Sequence, residues 1–141
     1  MKILLSCLFS VIVNFTFSQE CFVVVTSGGG ITGVAIVYQI GPDGKVLKGK
    51  GLGQINYAEQ SNLKKSVARK YYRRTRKVVE TSPEFSHPGN IYYSIAVREN
   101  GKEMKMTWGD SQHTVPEEAK DLYEEITKVL TGLTFTENTT K

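Results

Sequence analysis

The sequence is short of the residues that usually carry chemistry. It holds two cysteines and two histidines in 141 residues, so thiol, imidazole and metal sites have few places to form. Cys7 lies in an N-terminal apolar run and Cys21 follows that run, so a chain cut between them keeps one thiol and forms no intramolecular disulfide. A lipid anchor on Cys21 would want a Leu-small-small approach, which Phe17-Ser18-Gln19-Glu20 does not supply; a half-buried, unreactive thiol is the better reading. His87 and His113 are far apart in sequence and would join each other, or Cys21, only through tertiary folding. No catalytic residue, cofactor or metal ligand is therefore assigned. The acidic residues Glu117, Glu118, Asp121, Glu124 and Glu125 share one helical stretch without a partner for acid-base work, and read as a solvated face. With no nucleophile, base and orienting group to assemble, an enzyme ranks last among the functional readings.

Long apolar runs are scarce as well. The run that opens the chain, MKILLSCLFSVIVNFTFSQ, has Lys2, an apolar stretch, then Thr16 and Ser18 spaced like the small residues before a signal-peptidase cut. It is short for a transmembrane anchor and is interrupted by Asn14; nothing later is apolar for long enough to span a bilayer. The expectation is a signal peptide over residues 1–18, cleaved after Ser18, a single secreted or periplasmic domain over 19–134, and a frayed tail over 135–141. That tail carries Asn138-Thr139-Thr140, which matches a glycosylation sequon. There is no internal repeat, linker or low-complexity segment beyond the run of glycines at 28–30.

What the chain does have is clearest at residues 91–108, IYYSIAVRENGKEMKMTW. Asn100-Gly101 suits a two-residue type I′ turn, which requires positive φ at both central positions. That turn pairs Val97 with Met104, Ile95 with Met106 and Tyr93 with Trp108, giving one apolar face, while Arg98 faces Glu103 on the other. Upstream, residues 22–26 and 32–40 read as strands joined by the glycines, with Val34, Ile36, Tyr38 and Ile40 on an apolar face and Ala35 and Val37 on a mixed one. Gly41-Pro42-Asp43-Gly44 turns the chain into a third strand over 45–48, and residues 49–62 show no clear period. Residues 62–80 have helical spacing, with Leu63, Val67, Ala68, Tyr71, Tyr72, Thr75, Val78 and Val79 on one side and Pro83 beyond the end. A second helix follows Thr114-Val115-Pro116-Glu117, which matches a capping box, and ends near Gly132. The fold class is thus α+β: an antiparallel sheet of about five strands in the order β-β-β-α-β-β-α, with both helices packed on one face and the other face wet.

Two glycine patterns mimic nucleotide sites. Gly28-x-Gly30-x-x-Gly33 has dinucleotide-fingerprint spacing but leads into a strand where that site needs a helix, and residues 44–51 lack the Ser or Thr of a P-loop. The largest electrostatic signal is the first helix, where Lys65, Arg69, Lys70, Arg73, Arg76 and Lys77 form a basic face. Two readings stand for it: a surface for polyanions, with specific nucleic acid set aside for an exported protein, or charge neutralised by the acidic second helix. Trp108 and Tyr93 read as core rather than as a binding platform.

With SGGGITG at 27–33, PGNIYY at 88–93, Thr107-Trp108-Gly109 and the closing helix in place, the chain resembles small exported proteins of Bacteroidota that carry an SGGG-x-TG segment, a Tyr-rich strand, TWG and a C-terminal helix. More distantly it resembles emfourin-like proteins, small α+β inhibitors of thermolysin-type metalloproteases. The likeness covers most of the mature chain; the signal peptide and the basic helix depart from the emfourin pattern. The resemblance implies a secreted, non-enzymatic binding protein whose partner is another protein, a secreted protease in its most concrete form. It places the contact at the loop of Ser27, Gly28, Gly29, Gly30 and Thr32, where bare backbone can approach a cleft closely. The alternative is an extracellular or envelope module that binds polyanions through the basic face.

Overall fold

Asn100 and Gly101 take φ of 51° and 76°, the left-handed pair that the type I′ turn demands. The register this imposes runs from Glu99 opposite Lys102 to Tyr93 opposite Trp108, as the sequence predicts. The resulting hairpin, β6 (Ile91–Glu99) and β7 (Lys102–Trp108), is one half of the sheet. The other half is a meander of β1 (Cys21–Gly29), β2 (Ala35–Ile40), β3 (Lys45–Gly51) and β4 (Asn56–Asn62). The halves join through β1, which pairs antiparallel with both β2 and β6. The computed structural model describes residues 21–138, so the signal-peptide expectation and Thr139-Thr140 of the sequon lie outside the described residues.

The sheet corrects the expected five antiparallel strands. It has eight strands in the order β5-β7-β6-β1-β2-β3-β4-β8 and is mixed, because β5 (Ser86–His87) runs parallel to β7. The extra strands have physical reasons to escape a pattern search. β4 offers only Tyr57 and Ala58 among polar residues, and β5 and β8 (Thr136–Glu137) have two residues each, too few for any period. β8 anchors the described part of the C-terminal stretch: Thr136 and Glu137 pair with Gln60 and Glu59, Phe135 packs on Tyr38, and the Asn138 side-chain amide donates to Tyr57 O.

Helices α1 (Lys65–Thr81) and α2 (Glu117–Thr131) cover one face of the sheet, so the α+β class with two helices on the hairpin's apolar side holds. α1 buries Ala68, Tyr71, Thr75, Val78 and Val79, and α2 buries Ala119, Leu122, Ile126 and Leu130, each at helical spacing. Beneath them lie Val23, Val25, Ile40, Val46, Ile95, Val97, Met106 and Trp108. The capping box does not form: Pro116 itself takes the N-cap position, in an extended conformation and without a side-chain cap, and its carbonyl accepts from Ala119 and Lys120. Glu117 and Glu118 then occupy the first turn, where the helix dipole favours negative charge.

The opposite face is not simply wet. Val24, Ala35, Val37 and Ala96 form a second buried cluster under Phe22, Ile55 and Tyr57, and Ser94 and Thr107 are also buried. The mixed face of β2 is therefore a small second core, closed by residues from the stretch without a clear period. No helix among the described residues is long and apolar enough to cross a membrane.

Candidate functional site

The glycine run folds as the end of a strand and the start of a tight turn. Gly28 and Gly29 extend β1 and lie opposite Tyr92 and Ile91 of β6. Gly29 has φ +96°, and a Cβ there would stand 2.0 Å from Asn90 O, so only glycine fits this crossing. Gly30 N–H donates to the same carbonyl at 2.8 Å, and Gly33 N–H donates back to Gly30 O at 3.2 Å. Between these two bonds the chain presents Ile31 and Thr32 to solvent.

Ile31 is the most exposed large hydrophobic residue of the described chain, at 107% of its reference area. It is also the residue that sequence reasoning missed, since one isoleucine between glycine and threonine belongs to no periodic pattern. It has company. Leu52 at the tip of the β3–β4 turn is 69% exposed, and its Cδ2 would stand 3.1 Å from a Cβ at Gly33, so the two turns touch. Ile91 is 54% exposed at the start of β6, and Tyr93 and Ile36 lie on the same helix-side face, partly exposed at its margin. The large exposed hydrophobic residues thus collect at one end of the sheet. Clustering of this kind marks an interaction surface more than scattered exposure does.

Behind the turn the support is aromatic. Tyr123 of α2 stacks edge-on against Tyr93 and Trp108, with centroids 5.4 Å and 5.3 Å away. Burial pushes its phenol up to about 12, opposed by the nearby Ser27 hydroxyl. Beside Ile36 an open groove of about 250 Å³ is bordered by Lys48, Lys50, Asn56, Ala58 and Glu59. No family model matches the chain, and no curated protein matches it.

The loop assigned from the sequence divides unevenly. Ser27, Gly28 and Gly29 are strand residues that position the turn, whereas Gly30, Ile31 and Thr32 form what a partner can reach. The basic face divides too. Lys70 and Arg74 both reach Glu125 of α2, and Arg76 pairs with Glu80 and sits 3.9 Å from Glu99. The Arg74 guanidinium, with the Lys70 ammonium adding to it, holds the Glu125 carboxyl below the usual carboxylate range against the opposing effect of burial. Lys65, Arg69, Arg73 and Lys77 make no ion pair among the described residues, and Arg69 and Arg73 flank a shallow hollow with Ser66 and Tyr72.

The histidines are brought together. His87 of β5 and His113 of the loop after β7 stack with centroids 3.7 Å apart and planes within 6°, and His113 Nδ1 lies 2.7 Å from Asp110 Oδ2. The pairing of β5 with β7 places His87 opposite Trp108, two residues before Asp110, and creates a neighbourhood that sequence distance concealed.

Proposed function

We propose that this chain is an exported, non-enzymatic binding protein that engages a protein partner with the hydrophobic end of its sheet, led by Ile31. The observation that carries this reading is a fully exposed isoleucine on a turn fixed by Gly30 N–H to Asn90 O and Gly33 N–H to Gly30 O. A turn whose backbone is held this way loses little freedom on binding, so more of the burial of Ile31 appears as affinity. Leu52 and Ile91 flank it as a rim that excludes water. The emfourin-like resemblance gives the partner its most concrete form, a thermolysin-type metalloprotease whose cleft receives the turn.

The test is a titration of such a protease, at fixed enzyme concentration, with the chain from Gln19. Activity lost completely near one equivalent, with the chain uncleaved, is the expected result. Unchanged activity or digestion of the chain removes this protease class as the partner.

One observation favours a second reading: Arg69 and Arg73 stand one helical turn apart beside an open hollow, without carboxylate partners among the described residues. A polyanion bound there would dissociate steeply with salt. Binding to a heparin column that survives Ile31→Asp but not Arg69→Ala with Arg73→Ala would put the basic helix first.

A further inference from the structure

We infer that His87, Asp110 and His113 form a binding site for one divalent cation of the zinc, nickel or copper type, independent of the proposed protein-binding end. The three side chains each offer one ligand atom, and these atoms lie within 4.8 Å of one another. Two imidazole nitrogens and one carboxylate oxygen are the donor set that borderline transition metals prefer, whereas calcium and magnesium seek oxygen. Zinc bonds to such atoms span about 2.0–2.2 Å, so ligand atoms around one ion stand roughly 3.3 Å apart. The cluster needs an adjustment of an ångström or so, not a refolding.

The backbone that carries these residues is fixed. Asp110 N–H donates to His87 O at 3.1 Å, joining two of the ligand residues directly. A Cβ at Gly89 would stand 2.3 Å from Gly109 O, and one at Gly109 would stand 2.1 Å from Ile91 O, so the two segments cross at backbone contact. Asp110 is oriented as well: Gln112 N–H holds Oδ1 at 2.7 Å, which leaves Oδ2 toward His113. A hydrogen-bonded carboxylate of this kind is the usual outer support of a metal ligand.

One movement is required. A metal lies in the plane of each imidazole that binds it, and two parallel rings 3.7 Å apart share no such point. His113 is exposed and can turn, opening the stack and admitting the ion where its Nδ1 faces Asp110 Oδ2. Three protein ligands leave at least one position for water or for an outside donor. The ion would cross-link β5 and the loop after β7 close to Asn90, whose carbonyl holds Gly30.

The test uses the full chain with Cys7→Ser and Cys21→Ser, which removes competing thiols. Co²⁺ titrated alone should saturate at one equivalent with d–d absorption. Zn²⁺ should displace it, excess Mg²⁺ should not, and the ring-current shifts of the two imidazoles should collapse at one equivalent of Zn²⁺. His87→Ala and His113→Ala should each weaken binding more than about tenfold. His113→Ala, at the most exposed position, keeps the test decisive should His87→Ala not fold. Absence of saturation, or affinity unchanged in His113→Ala, overturns the assignment.

Discussion

Truncating Ile31 to alanine separates what the turn does for binding from what it does for folding. The side chain is surrounded by solvent, at 107% relative exposure, so Ile31→Ala should change folding stability by no more than about 0.5 kcal/mol. In a complex that buries the side chain, each of the three carbons removed contributes about 0.8 kcal/mol, together about 2.4 kcal/mol. At about 1.4 kcal/mol per factor of ten, the inhibition constant should rise ~50-fold. The assay pairs urea unfolding, followed by the fluorescence of the single tryptophan Trp108, with inhibition of a thermolysin-type protease. Ile40→Ala is the matched control: Ile40 is 2% exposed in the main core, so its loss should cost about 2–5 kcal/mol while leaving the turn in place. A folded Ile31→Ala that inhibits as tightly as the parent chain would refute the assignment of Ile31 as the leading contact.

Gly29→Ala should destabilise more than Gly30→Ala. Both positions have positive φ, +96° and +72°, at about 1–3 kcal/mol of strain, but only at 29 would the new Cβ strike Asn90 O, and urea midpoints read the difference. Thr75→Val should stabilise the chain by about 1 kcal/mol, because the Thr75 hydroxyl is buried in the core without a hydrogen-bond partner among the described residues; an equal or lower melting temperature counts against this. Glu125 has a depressed folded-state pKa, so its contribution is present above the unfolded value near 4.5 and fades as pH falls through the folded value. Because the pair is solvent-exposed, Glu125→Gln should cost at most about 1 kcal/mol at neutral pH and nothing in strong acid, as paired unfolding curves would show.

The parts of this fold that can be read from the sequence are those where two local signals agree. In the central hairpin, turn chemistry and two-residue alternation point the same way, and Asn100-Gly101 fixes the register down to Tyr93 and Trp108. In both helices the 3.6-residue spacing of core residues suffices to name the buried face. Where a signal is single or short, it misleads. Thr114 and Glu117 satisfy the capping spacing, yet Pro116 adopts the extended cap conformation and starts the helix two residues later. β4 owes its place to pairing with β3 and not to its own polar sequence. The site was half legible: the glycines announce a special backbone, but exposure of Ile31 depends on where the neighbouring turns end. The histidine pair was illegible because a two-residue parallel pairing between β5 and β7 creates it.

The central position of β1 also sets the timetable of folding. Its first residue, Cys21, meets Glu99 across a separation of 78 residues, and it borders β6 along its whole length. A chain emerging from its N-terminus can form the β1–β4 meander early, but that meander keeps both edges open, at β1 and at β4, and a bare apolar face until β6, the helices and β8 arrive. Closing so long a loop costs entropy before any contact repays it, which slows such topologies. A polypeptide that completes its core late stays unfolded longer. The same strand order that makes the finished sheet continuous delays its completion until β6 and both helices have been made.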